Sequence, residues 1–390
     1  MRVSNIQTTK TNTHTTFFAD FQFASPIGGR KRRAKFVAQK ALAAFLHPLR
    51  AVKFGFSSTH RIWYTLPNEF VSEERIADAF FILAMPMAIA SNEDLVFTDS
   101  ISTELAEKIE EIRTYYIELA KRRIAIHVTS VERRDSTRNQ VAQFFTLGGD
   151  SFHTLCCHSE AGDPSPRHLI YVEGYDAPVY EKAFFKTIRK NIDDVAEQMH
   201  CRSVFVSTNL RELSDLILGW GWFHFSALAA VETLLGFAKL YVSGESFNTP
   251  HWGLRFGAEK LYSTTKRKMI LVGHLESRLQ KTRRVVESAH SKLFLKYVRV
   301  CWENVAHGEM EYNCSRCQKC LKTELGLLVL GIKNSPTFKP LDLAAMKEIH
   351  LVEHVYQDWV EVYVALQKQK QTDPQLLAIL EHVLAKPIRT

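Results

Sequence analysis

The chain has 390 residues, 46% hydrophobic and 24% charged, the composition of an ordinary globular protein with room for two or three domains. No run of about 18 apolar residues occurs and the first sixteen residues are largely polar, so neither a membrane span nor a secretory signal is expected, and the chain reads as cytoplasmic. The net charge is +8, but its basic clusters (30–33, 121–123, 266–268 and 281–284) are dispersed, which favours a solvated surface over a nucleic-acid track and leaves nucleic acid a less favoured partner.

Partial alternation over residues 16–24 predicts a strand, with a turn at 25–29. Helical spacing follows over 36–49, then a strand over 61–66 closed by Pro67. A long helix is predicted over 72–90, with Ser72 as its cap. A strand over 94–98, a helix over 102–121 and a strand over 123–129 complete a mixed α/β domain, residues 1–135. It carries no visible chemistry, so its expected role is packing on the next domain or recognising a partner. The polar segment 133–138 marks the boundary.

From residue 139 strands (141–146, 168–172, 203–207, 239–243, 269–272) alternate with helices (151–159, 179–199, 223–237, 277–291). That spacing implies βαβ crossovers and a parallel sheet. Ligands of open parallel sheets bind beyond the carboxyl ends of the strands. The residues there are 148–151, 173–176, 208–211 and 244–246. The first group is the most informative. Gly148 and Gly149 allow backbone N–H groups to converge, and Asp150 or Ser151 can cap the helix that follows. Such a turn is an anion site, or simply a structural connection. His224 and His251 read as packing or surface residues.

Four of the seven cysteines fall within twenty residues: Cys301, Cys314, Cys317 and Cys320. Four thiolates at this spacing suit a closed, structural zinc site, and Lys319 and Lys322 can offset its negative charge. An iron–sulfur cluster and chance clustering are the alternatives. Cys156, Cys157 and Cys201 read as buried packing residues. Residues 336–390 read as a helical tail with Trp359, Val360 and Val362 on an apolar side.

The order Thr146-Leu-Gly-Gly-Asp-Ser151, followed by Cys314-x-x-Cys-x-x-Cys320 with Cys301 upstream, resembles the 7-cyano-7-deazaguanine synthase branch of the PP-loop ATP pyrophosphatase superfamily. The likeness covers roughly residues 139–332 and includes 173–176, 208–211, Ser277, Arg278, Lys281 and 299–301. It implies a sheet of the adenine nucleotide alpha hydrolase-like (HUP, Rossmann-like) type. It also implies an AMP-forming ligase that adenylates a carboxylate and passes it to a nitrogen nucleophile. Thr146, Leu147, Gly148, Gly149, Asp150 and Ser151 would cradle the ATP phosphates, with Asp150 a candidate Mg²⁺ ligand. Arg278 and Lys281, three positions apart on a helix, would face the leaving pyrophosphate. Asp176 would meet ribose or adenine, and Asn209 and Arg211 the substrate. Leu147 departs from the family glycine.

The carboxylate would belong to a deazapurine, another small molecule, or a protein partner, since some relatives of the synthase work in multi-protein antiviral systems. Two other readings stay open. Leu147 allows a non-catalytic nucleotide-binding subunit, and net basicity allows a tRNA-modifying enzyme, which would need a reactive cysteine near the loop.

Overall fold

In a computed structural model the described residues are 1–25, 58–132, 137–161, 166–248, 257–301, 303 and 312–388. The helix expected over 36–49, the basic cluster 30–33 and His251 lie outside them.

Among the described residues ten strands form one sheet. They are β1 (Arg2–Lys10), β2 (His14–Gln22), β3 (Thr59–Pro67), β4 (Leu95–Ser102), β5 (Ile126–Val131), β6 (Arg138–Phe144), β7 (His168–Glu173), β8 (Arg202–Thr208), β9 (Phe237–Ser243) and β10 (Lys268–Val272). Their order is β10-β9-β6-β7-β8-β3-β2-β1-β4-β5. The strands from β6 to β10 are all parallel. Helical crossovers between them force this, because parallel neighbours cannot be joined by a hairpin. Numbered from β6, their order is 3-2-1-4-5, the doubly wound arrangement, and it reverses direction between β6 and β9.

The sheet does not break at the expected boundary between residues 135 and 139. β3 pairs antiparallel with β8, Tyr64 opposite Thr208, and continues into β2 and β1. An exposed β8 would present unpaired backbone groups, and β3 covers that edge. Asn209, directly after β8, fastens the joint. Its Oδ1 accepts the Trp63 N–H at 3.0 Å and its Nδ2 donates to the Arg61 carbonyl at 2.9 Å. Its expected role as a substrate contact gives way to this strand-joining one.

Alternate residues of β7 serve opposite faces, as the two-residue period of a strand requires. Ile170 and Val172 join one core, Leu169 and Tyr171 the other. The first core holds helices Ile76–Ser91 and Trp220–Leu235 and runs under both halves of the sheet. The second holds Phe145, Phe152, Phe184, Phe185 and Phe294. A third forms among helices Gln318–Val329, Glu353–Gln367 and Pro374–Leu384, with Trp359 at its centre.

Several local expectations change. Ser72 precedes a short 3₁₀ turn (Glu73–Arg75) and its side chain caps nothing; the long helix starts at Ile76. The helix expected over 102–121 breaks into Thr103–Glu107, Ile109–Tyr115 and a final 3₁₀ turn. Tyr116 at the second break is wholly buried, with its hydroxyl 2.5 Å from Ser226 Oγ. Two basic clusters also send a cation inward: Arg267 to Glu232, and Lys281 to Asp150. No helix among the described residues is long and apolar enough to cross a membrane.

Candidate functional site

The crevice where the sheet order reverses lies beyond the ends of β6 and β9. β6 ends at Phe144, and the chain turns through residues 145–148 into the loop helix, Gly149–Ala161. That helix begins at Gly149, so Asp150 and Ser151 occupy its first turn and do not cap it. Ser151 Oγ instead accepts the Thr146 N–H at 3.3 Å and lies 3.1 Å from Thr146 Oγ1. The two hydroxyls close the loop on itself. Gln143 Nε2 donates to the Ser151 carbonyl at 2.7 Å from beneath.

Leu147 takes a left-handed backbone, φ 61°, at the position where the resembled loop has glycine. Its side chain is 0% exposed and packs in the second core with Phe145 and Phe152, away from the cavity. The Leu147 carbonyl accepts the Arg299 N–H at 2.9 Å. A leucine in this conformation costs about 1–2 kcal/mol of backbone energy, which burial of its side chain offsets. Leu147→Gly is therefore expected to lower stability by about 1–4 kcal/mol, the cost of truncating a buried leucine less the backbone relief. Urea unfolding measures this; a gain in stability would mean that the side chain is strained where it sits.

Asp150 meets two cations from the clamp helix, Arg278–Glu287. Arg278 Nη1 pairs with Asp150 Oδ2, and Lys281 Nζ lies 3.1 Å from Oδ1. Ser277 starts that helix with a reciprocal cap, its Oγ accepting from Gln280 N–H. The Lys281 side chain is 1% exposed, and its ammonium also donates to the Gly244 and Glu245 carbonyls at 2.7 and 2.8 Å. Burial, then the nearby Arg278, holds its pKa well below the usual lysine range. Residues after β6 and β9 and the start of the clamp helix thus meet at one point.

They line a cavity of about 610 Å³, within the ~300–1,000 Å³ typical of small-molecule sites. Thr146, Gly148, Gly149, Asp150, Ser151, Asp176, Arg211 and Arg278 all face it. Lys281 braces Asp150 from behind, and Asn209 is not among the lining residues. Asp176 follows a tight bend at Gly174, φ 99°, where any Cβ would fall 1.9 Å from the Thr208 carbonyl oxygen. Arg211 donates to the Tyr175 carbonyl at 2.6 Å and stacks 4.8 Å from the Trp220 ring.

The structure adds residues, Arg299, Trp220 and Glu245 among them, that the sequence reading did not single out by name. Arg299 lies over the Phe184 ring and 3.7 Å from Asp176; among the described residues its buried Nε has no hydrogen-bond partner. Trp220 and His224 form an aromatic corner with ring centroids 5.2 Å apart, and burial pushes the His224 pKa down to about 4. Glu245 follows β9, and burial raises its carboxyl to about 7. Lys319 and Lys322 line the cavity from helix Gln318–Val329. Lys322 does not balance the thiols as expected, because it pairs with Asp358 at 2.6 Å. Lysines three apart on one helix face were the available signal; the partner on a helix 36 residues onward was not.

The four clustered cysteines come together beside this cavity, and Cys301 is part of its wall. Sγ of Cys301 and Cys317 are 4.0 Å apart, and those of Cys314 and Cys320 are 3.9 Å apart. Four sulfurs about 2.3 Å from one zinc ion stand about 3.8 Å from each other on a tetrahedron. The N–H groups of Cys317 and Cys320 point to Cys314 and Cys317 sulfurs at 3.3 and 3.5 Å, which favours thiolates. This buried group can hold zinc. Cys157, by contrast, is only half-buried, and neither Cys156 nor Cys157 is among the residues lining the cavity.

No family model, curated protein or solved structure matches the chain.

Proposed function

We propose that the cavity is an ATP site of the PP-loop pyrophosphatase kind, on a HUP-type sheet, and that the protein is an AMP-forming ligase. The observation that carries this is the meeting of Asp150 with Arg278 and Lys281 at the glycine turn where the sheet order reverses. A helix N-terminus, whose first N–H groups have no intrahelical partner, and the Arg278 guanidinium facing the cavity suit a pyrophosphate. The buried Nε of Arg299 supplies a further donor.

In this reading a substrate carboxylate oxygen attacks the α-phosphorus of ATP. The bond from that phosphorus to the bridging oxygen breaks, and pyrophosphate leaves with its charge met by Arg278, while Lys281 holds Asp150 from behind. A nitrogen nucleophile then displaces AMP from the acyl carbon. Asp150 is the carboxylate that fits Mg²⁺, which would neutralise phosphate charge when bound. The Tyr175, Trp220 and Arg211 corner suits a planar ring, either adenine or a deazapurine acid. A carboxylate on a protein partner is the other candidate acceptor. Zinc at the four cysteines is structural, because four protein ligands leave no open position.

Leu147 packs in the second core with Phe145 and Phe152 rather than among the cavity-lining residues, which supports the catalytic reading over a degenerate, non-catalytic loop. A thiol-transfer role on tRNA is also disfavoured: Cys301 lines the cavity but belongs to the four-cysteine group.

Pyrophosphate release from ATP, assayed with deazapurine acids and other small carboxylates plus an amine donor, tests the proposal. Asp150→Asn keeps the side-chain volume while removing the charge, and is expected to lower the rate at least 100-fold with the fold retained. Unchanged release in that variant would remove Asp150 from the reaction.

A further inference from the structure

A second group of metal-binding side chains lies outside the cavity. His153 Nε2, Cys157 Sγ and a Glu276 carboxylate oxygen all fall within 4.8 Å of one another. His153 and Cys157 are one turn apart on the loop helix, so they share a face. Glu276 comes from the opposite side, at the end of the β10 loop and just before the Ser277 cap. The imidazole Nε2 is 2.7 Å from the Glu276 carboxylate and 3.5 Å from the Cys157 sulfur.

The placement is constrained from several sides. Gly273, φ 79°, lets the β10 loop pass against the imidazole; a Cβ there would lie 2.8 Å from His153 Nδ1. The Glu276 N–H donates to the Gly273 carbonyl at 3.3 Å, and its own carbonyl accepts the Phe247 N–H at 3.0 Å. His153 itself is fully buried, while Cys157 and Glu276 are half-buried and reachable.

We propose that His153, Cys157 and Glu276 form a second divalent-metal site of zinc type, exchangeable and with its fourth position open. One imidazole nitrogen, one thiolate and one carboxylate make a borderline donor set. The thiolate disfavours magnesium and calcium, and the nitrogen and oxygen disfavour copper(I). Three protein ligands leave one position for water, as in zinc sites that are not purely structural. Glu276 also borders a surface recess of about 300 Å³, lined with it by Gln280, Arg283, Arg284, Glu287 and Ser288. Arg284 stands 3.8 Å from the Cys157 sulfur and 3.3 Å from Glu276, and its side chain is 42% exposed. Its guanidinium balances the acidic groups when no metal is bound and must swing into the recess when one enters. Metal entry forms the metal–sulfur bond and releases the Cys157 thiol proton to solvent. A bound ion ties the loop helix, which carries Asp150, to the segment that launches Arg278 and Lys281. The inference does not depend on what the cavity binds.

Zinc titration of the full-length protein, with bound metal counted by equilibrium dialysis against buffered free zinc, tests it. Cys157→Ser and Glu276→Gln are the variants, because both residues are partly exposed and near-isosteric replacements exist. Wild type is expected to bind one more equivalent per chain than either variant, whatever the four-cysteine group holds. Cobalt(II) should give a thiolate charge-transfer band that Cys157→Ser reduces. Equal stoichiometry in wild type and both variants would overturn the proposal.

Discussion

Cys317→Ser is expected to lose one equivalent of zinc and to lose stability with it. Metal binding at a site absent from the unfolded chain is folding free energy, about 10–16 kcal/mol for small structural zinc sites. Much of that should vanish, because three sulfurs hold the ion poorly and the freed thiols stay buried. The damage should not remain local. Asn313, next to Cys314, accepts the N–H groups of Val300 and Cys301 at 2.9 and 3.2 Å and donates to the Val298 carbonyl at 2.9 Å. Arg299, between those residues, donates its N–H to Leu147. The glycine loop is therefore one hydrogen bond and two residues from Cys301. Metal analysis and thermal unfolding should show both losses together, and a chelator should lower the midpoint of wild type more than that of the variant. Iron with visible absorption, or folded protein free of metal, would reject zinc here.

Asp358→Ala is expected to destabilise the protein by about 3–5 kcal/mol, the cost of leaving a buried charge without its partner. Asp358 is 1% exposed. It accepts from Lys322 Nζ at 2.6 Å, from Ser246 Oγ at 2.7 Å and from Asn248 Nδ2 at 3.2 Å. One carboxylate thus joins helix Glu353–Gln367 to the loop after β9 and to the cavity wall. Glu361, a turn further on, accepts from Ser277 Oγ at 2.5 Å and so touches the start of the clamp helix. Burial already pushes the Lys322 pKa down to about 8 against the pull of Asp358. Without the carboxylate the lysine should surrender its proton. Asp358→Asn, which keeps the volume and some hydrogen bonds, should cost less. A change under about 1 kcal/mol by urea unfolding would show that Lys322 is already neutral.

These contacts show why the tail looked empty of chemistry in the sequence. Its apolar spacing was visible, but a buried Asp358 reads like any polar residue until Lys322 and Ser246 are placed beside it. The parallel half of the sheet was legible because each strand is a short apolar run followed by a helix, and that alternation admits few topologies. β1 was not, since Val3 is its only fully buried residue and, apart from Ile6, the rest is polar. Asn209 misled for a related reason: its partners, Arg61 and Trp63, are some 146 to 148 residues away. The glycine turn, Arg278, Lys281, Asp176 and Arg211 were legible as strand ends and helix spacing, and the fold brings them together. Glu245 falls in the strand-end group 244–246 and Arg299 within the resembled segment, but neither was given a role, and Trp220 joins them through packing that no local pattern encodes.

Calorimetric titration of the folded wild-type protein with Mg·ATP tests the central claim most directly. The account predicts saturable binding at one site per chain. Ser151→Ala should weaken it by about 1–3 kcal/mol, the worth of a hydrogen bond to a charged group. Absence of any ATP binding by folded wild-type protein would contradict it and leave the cavity to some other ligand.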